Sequence, residues 1–237
     1  MLVNGSRKHS NEFSLKLNAR VLSIDNANSQ KVLGIIIDDK LNWQGQVEQI
    51  SLKLSRAIAL LRKISNYLPL EAGKIYYNHY ILPIIDYAAI IWGNGLTKDQ
   101  INRITKFQKR ALRIILNKST FTPSIELFRE SDILPFELRI HYHTCTMIHK
   151  KLHNMTPDYL RSNLDMCTDT YNYNLRSTTN NNLILPRPNS EKFKKSFKYC
   201  GAKLWNALPD ELKTCRKLET FKLLLKKYLL SKLSNIM

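Results

Sequence analysis

A chain of 237 residues, 43% of them hydrophobic, is long enough to bury one sizeable core, and its net charge of +18 makes polyanions its natural partners, nucleic acid before membrane. Four cysteines (Cys145, Cys167, Cys200, Cys215) with no CxxC pair exclude a zinc ribbon and a disulfide framework, so the expected compartment is reducing and intracellular, nucleus or cytoplasm. The first ten residues have no apolar run behind a basic start, and the most apolar window, residues 80–92, is too short to cross a bilayer, so neither a signal peptide nor a membrane partner is expected.

Three short strands are predicted at residues 2–4, 13–23 and 32–37. Phe13, Leu15 and Leu17 alternate with Ser14, Lys16 and Asn18, the period of two that leaves one face buried and one wet. Residues 32–37 form a β-branched run suited to a strand buried on both faces, with Gly34 marking a bulge or the close approach of another backbone. Asp38 and Asp39 end it. So small a sheet does not stand alone easily, and a protein partner that completes it is one expectation.

Beyond Trp43 the pattern turns helical. A first helix is expected over residues 47–68, with Ile50, Leu54, Ala57, Leu61, Ile64 and Leu68 on its apolar stripe and Lys53, Arg56 and Lys63 off it. Pro69 ends it. Residues 70–93 read as a second helix, apolar nearly all round, carrying Tyr76, Tyr80, Tyr87 and Trp92 and kinked at Pro83. The third, residues 97–118, is the clearest: Thr97 or Asp99 as cap, a stripe of Ile101, Ile104, Phe107, Ala111 and Ile114 or Ile115, and Arg103, Lys106, Arg110 and Arg113 aligned opposite.

Four cations on one face can follow a row of phosphates, though the same pattern suits a solvated bundle face. No acid stands between Asp99 and Glu126, whereas an ordinary wet face mixes both signs, and this favours binding. The net charge is +2 over residues 1–40, +8 over 41–120, −1 over 121–160 and +9 over 161–237, so two basic blocks flank a neutral one.

Residues 135–154 are expected to form a further helix opened by Pro135. His141, Cys145, His149 and His153 recur on it every fourth residue. Successive turns climb about 5.4 Å, so one ion cannot reach them all. Cys145 also falls on the stripe Leu138, Tyr142, Cys145, Ile148 and Leu152, so a core role is expected and no metal site. Residues 165–190 have a linker composition, with a short strand at 183–185; Phe193, Phe197, Leu204 and Trp205 share one following helix and Leu218, Phe221, Leu225 and Leu229 the last, with Pro209 as a helix start between them.

No glycine-rich phosphate loop, HExxH or GxSxG string is present. The Asp38–Asp39 pair could in principle hold magnesium, but it lacks a converging third carboxylate and reads as a structural turn. No catalytic residue is expected in this chain.

The strings MLVNGSR, KVLGIIIDDKLNW, YYNHYILPIIDYAAIIWG, FQKRALRII, YNLRS, LPRPNSEKFKKSFKYCGAKLWNALPDEL and FKLLLKKYLL, in this order, resemble the C-terminal part of reverse transcriptases of non-LTR (LINE-type, jockey-like) retrotransposons. The resemblance implies an α+β, mainly α fold: a palm remnant over residues 1–43, a three-helix thumb-like bundle over 44–120, a helical C-terminal region over 121–164, a linker over 165–190 and basic helices over 191–237. It implies that Leu33 and Gly34 match the LG of the primer grip, with Val32 where the family carries Tyr or Phe, and that the catalytic YxDD box and the magnesium it needs belong upstream. The implied function is backbone contact with an RNA/DNA template–primer duplex through Leu33, Gly34, Lys53, Arg56, Arg103, Lys106, Arg110 and Arg113, without polymerisation by this chain. A non-catalytic protein-interaction module, or an unselected retroelement relic, is the rival reading.

Overall fold

Four short strands pair into two separate antiparallel hairpins before the chain turns helical: β1 (Ser14–Leu17) with β2 (Arg20–Ser23), and β3 (Ser29–Val32) with β4 (Ile35–Asp38). The computed structural model describes residues 14–17, 20–23, 28–157, 160 and 181–233, and the fold among them is α+β, mainly α. The strand expected at 2–4 lies outside these residues. The one expected over 13–23 is instead a hairpin, with Ser14 opposite Ser23 and Leu17 opposite Arg20.

The run 32–37 is not one continuous strand either. Leu33 (φ 47) and Gly34 (φ 83) are consecutive left-handed residues that form a two-residue turn, and Val32 pairs with Ile35 across it. Such a turn matches the twist of the flanking strands. Val32 and Leu33 are therefore exposed and only Ile35 is buried, contrary to a strand covered on both faces. The Tyr87 hydroxyl donates to the Leu33 carbonyl at 2.7 Å and fixes the tip from 54 residues away.

Asp38 folds the chain from β4 into the helices. One carboxylate oxygen accepts the Lys40 and Asn42 amides at 3.1 and 2.8 Å, and the other accepts the Trp43 amide at 2.7 Å. α1 (Gln44–Ile64) follows and buries Val47, Ile50, Leu54, Ala57, Ile58 and Leu61. Trp43 packs so tightly against Gly95 that a Cβ there would lie 2.3 Å from its indole nitrogen.

The expected second helix is three pieces. α2 (Leu70–Tyr76) widens into a π turn (Tyr77–Ile81) and resumes as α3 (Leu82–Asp86). In the widened turn the Leu82 amide bonds the Tyr77 carbonyl, five residues back, which makes room for the Pro83 ring. The chain then breaks at Ala88 (φ 51) and restarts as α4 (Ala89–Trp92). Tyr77, not Tyr80 or Tyr87, is the fully buried tyrosine; the other two are exposed.

α5 (Lys98–Ile115) begins at a capping box between Thr97 and Gln100. α6 (Ser124–Ser131) was not anticipated; Pro123, Glu126 in the first turn, and buried Leu127 and Phe128 explain it. α7 (Phe136–Leu152) is the central helix, packed against α4, α5, α9 (Phe197–Asn206) and α11 (Leu218–Ser231), with Trp92 stacked on Phe136 at 5.4 Å. α8 (Glu191–Lys194) and α10 (Asp210–Lys213) are single turns. α8 and α9 divide the single helix expected around Phe193 and Trp205, because Ser196 caps a new start. Residues 181–190 of the expected linker dock in extended form, the Asn206 amide bonding both the N–H and the C=O of Leu183 at 2.8 and 2.9 Å. Residues 165–180 lie outside those described. One apolar core extends from Ile35 to Leu233.

Candidate nucleic-acid interface

α1 and α5 end side by side. α1 carries Arg62 and Lys63 in its last turn and runs through a single turn, Ser65–Tyr67, to Pro69. α5 stops where Asn117 turns left-handed (φ 49) and the Lys118 amide reaches back to the Arg113 carbonyl at 2.9 Å. Between the two ends lies a cleft of about 580 Å³ lined by Arg62, Lys106, Lys109, Arg110, Arg113 and Lys118.

Cations at helix C-termini partly answer the helix dipoles, but each dipole supplies only about half a negative charge. Glu126 and Glu130 reach Lys118 at 3.8 and 3.0 Å, and none of the other five lining cations forms an ion pair among the described residues. Among the described residues, six cations thus exceed the negative charge beside them. Lys109 registers the surplus: partial burial, with Arg113 and Lys106 adding repulsion, holds its ammonium below the usual lysine range. An anion in the cleft would relieve that repulsion.

Lys106, Arg110 and Arg113 of the expected row line the cleft, and Arg103 is exposed one turn nearer the start of α5. Arg113 is half-buried and donates to the Thr122 carbonyl at 3.2 Å, tying the turn after α5 to the cleft wall. Arg110 lies over the Phe107 ring at 5.8 Å. Lys53 and Arg56 are exposed, but not in the cleft. Lys53 stands nine residues before Arg62, about half a turn round α1, on the flank where Tyr76 bonds the Ala57 carbonyl. Arg62, Lys109 and Lys118 are the additions that the sequence reading missed. A cation in a helix's last turn is visible in a sequence; that two such turns meet is not.

Leu33 and Gly34 do not line the cleft. Their hairpin packs at the start of α1, where the Gln46 side chain accepts the Ile36 amide at 2.9 Å. The 21 residues of α1 separate hairpin from cleft, roughly 30 Å.

Of the row on α7, Cys145 and His149 are buried in the core, while His141 and His153 stay partly exposed. Cys145 is buried and desolvation pushes its thiol up to about 12. His149 donates from Nε2 to the Cys215 carbonyl at 2.7 Å, with its ring between Phe221 at 4.2 Å and His153 at 4.3 Å. Burial lowers its pKa. Among the described residues no three His, Cys, Asp or Glu side chains are grouped to hold a metal ion. In native protein at pH 8, iodoacetamide should therefore modify the part-exposed Cys215 and leave Cys145 intact until denaturant is added, read by peptide mass spectrometry. Equal rates at the two would remove α7 from the core.

Asp86 is the functional-looking group that sequence reading placed in an apolar window. Both its oxygens accept the Arg139 guanidinium, and His143 Nε2 stands 3.1 Å from one of them. Burial alone would raise its pKa, but the hydrogen bonds from His143 and Arg139 outweigh that and hold it below the usual carboxylate range.

Among known proteins, the sequence is 28% identical over 124 residues to the probable RNA-directed DNA polymerase from transposon BS of Drosophila melanogaster. The match covers 51% of this chain and only 14% of that polymerase. About half of the chain is therefore similar to a transposon-encoded RNA-directed DNA polymerase. No protein-family model matches the sequence, and no solved structure matches it.

Proposed function

We propose that this chain is the C-terminal portion of a non-LTR, LINE-type, jockey-like reverse transcriptase, comprising the end of the palm, the thumb and the region after it. Its role is to hold an RNA/DNA template–primer by the backbone, in the nucleus or cytoplasm. The observation that carries the reading is the surplus of cations in the cleft between α1 and α5. Long cationic side chains at a helix end position phosphates without reading base sequence. The hairpin tip at Leu33–Gly34, roughly 30 Å from the cleft along α1, is spaced for a second contact about one duplex turn away.

Polymerisation is not assigned to these 237 residues. They contain no YxDD string, and the carboxylate of Asp38 is committed to three backbone amides. Magnesium belongs to the complete polymerase.

The test is the anisotropy of a labelled RNA/DNA hybrid titrated with the chain at several salt concentrations. The triple variant Arg103→Ala, Lys106→Ala, Arg110→Ala should bind more weakly and lower the magnitude of the log–log salt slope by roughly two to three, since each lost phosphate contact removes about 0.9. Arg113 is left in place because it holds the Thr122 carbonyl. A slope equal to that of the parent chain would take these cations out of the contact.

A second reading has one observation in its favour: β3 is the exposed edge of a two-stranded sheet, with all four of its residues open to solvent. Such an edge is suited to a protein strand that completes the sheet. Recovery of a stoichiometric protein partner in complexes free of nucleic acid would support it.

A further inference from the structure

We infer that the cleft end engages an unpaired, single-stranded stretch of nucleic acid, with Tyr67 and Phe121 as stacking platforms beside the cations. This deepens the backbone-binding reading and rests on it. Phe121 and Tyr67 are the two most exposed large apolar side chains among the described residues, at 93% and 87%. Single exposed rings are common on protein surfaces. These two share an address.

Tyr67 closes the turn after α1, two residues beyond the cleft-lining Ser65, and Phe121 adjoins the cleft-lining Thr120 beyond α5. Both rings stand on fixed backbone. The Leu68 amide closes the first turn on the Ser65 carbonyl at 3.2 Å, and Pro69 follows. In the second, the Thr122 amide bonds the Ser119 carbonyl at 3.2 Å and the Phe121 amide bonds the Ser119 hydroxyl at 3.3 Å. Arg113, itself a cleft cation, pins that turn through the Thr122 carbonyl. At Phe121, ring presentation and charge presentation are thus tied together through Arg113.

The chemistry selects a single strand. In a duplex the base faces are stacked away and exposed rings find nothing to cover. In a single strand the phosphates follow the cations while the free π-faces of bases lie on the rings, whatever the sequence. The cleft that both turns adjoin is lined by six cations, which fits this occupant better than an apolar protein surface.

The experiment compares a labelled single-stranded oligouridine with an RNA/DNA hybrid of the same length, using the full chain. Phe121→Ala and Tyr67→Ala should each weaken single-strand binding roughly tenfold and leave hybrid binding within about twofold. The salt slope should not change, because a ring releases no counterions. Phe121→Trp should keep the affinity and show fluorescence quenching on single-strand binding. Single-strand affinities unchanged by both alanine variants, or losses equal on the two probes, would overturn the inference while the triple cation variant still reports on the backbone reading. Salt-independent binding of both probes would sink that reading as well.

Discussion

Replacing Gln108 with leucine is expected to cost the fold about 2–4 kcal/mol, although the two side chains are nearly the same size. Gln108 is fully buried on α5. Its oxygen accepts the Phe136 amide at 2.7 Å, one of the donors that the start of α7 would otherwise leave over. Its nitrogen donates to the Tyr77 hydroxyl at 2.9 Å and to the Leu134 carbonyl at 3.4 Å. Leucine would strand these groups where water does not reach, and each unsatisfied buried group costs about 1–3 kcal/mol. Burial also keeps the Tyr77 phenol neutral by driving its pKa far up. Urea unfolding followed by circular dichroism should show a lower midpoint with an unchanged slope. Thr97→Ala, which removes an exposed cap, is the comparison at about 1 kcal/mol. A Gln108→Leu midpoint equal to that of the parent would mean the three bonds contribute nothing net, and one equal to that of Thr97→Ala would put them at no more than a single cap.

The same residue explains how the cation row acquires a direction. Gln108 stands two residues from both Lys106 and Arg110, so locking it to the π turn and to α7 fixes the rotation of α5 about its own axis. A slip of one residue would turn each cation by about 100°. The charged face is thus held by an uncharged buried amide on the opposite side.

What could be read from the sequence follows the range of the interaction. α5 was legible because its signals are local: Thr97 caps it, and Ile104 and Ala111 lie on the expected buried stripe. Gln108 was not, since a lone glutamine looks like part of the wet face, and its partners Leu134, Phe136 and Tyr77 stand 26, 28 and 31 residues away. Leu33–Gly34 was read as strand interior because leucine rarely turns left-handed; Tyr87 holds it there from the break after α3. Within the candidate site, Lys106, Arg110 and Arg113 came from one helix's periodicity, whereas Lys109 lies off the expected row. Arg62 joined them only through the packing of α1 on α5, which no window of sequence contains.

Asp86 carries the other large expected effect, about 2–3 kcal/mol for Asp86→Asn. Removing one member of a buried ion pair costs about 3–5 kcal/mol because the other charge is left stranded. Here the side chains of Asp86 and Arg139 keep 21% and 14% of their exposure, so some solvent screening reduces the figure. The effect has a definite pH dependence. Arg139 and His143 hold the folded-state pKa of Asp86 below the unfolded value of about 3.9, so its contribution is fully present above that value. It is lost as pH falls through the lower folded value. Parent and Asp86→Asn stabilities should therefore differ at pH 7 and converge in acid well below pH 4, where Arg139 stays charged but the carboxylate it faces does not. A gap that stays constant from pH 7 to pH 2 would show that ionised Asp86 is not what α3 and α7 share. Asp86 is the last residue of α3 and immediately precedes Tyr87, which bonds the Leu33 carbonyl at the hairpin tip. Loss of the pair should therefore also raise hydrogen exchange in β4 before it does so in α5, since the hairpin tip depends on Tyr87 and α5 on Gln108.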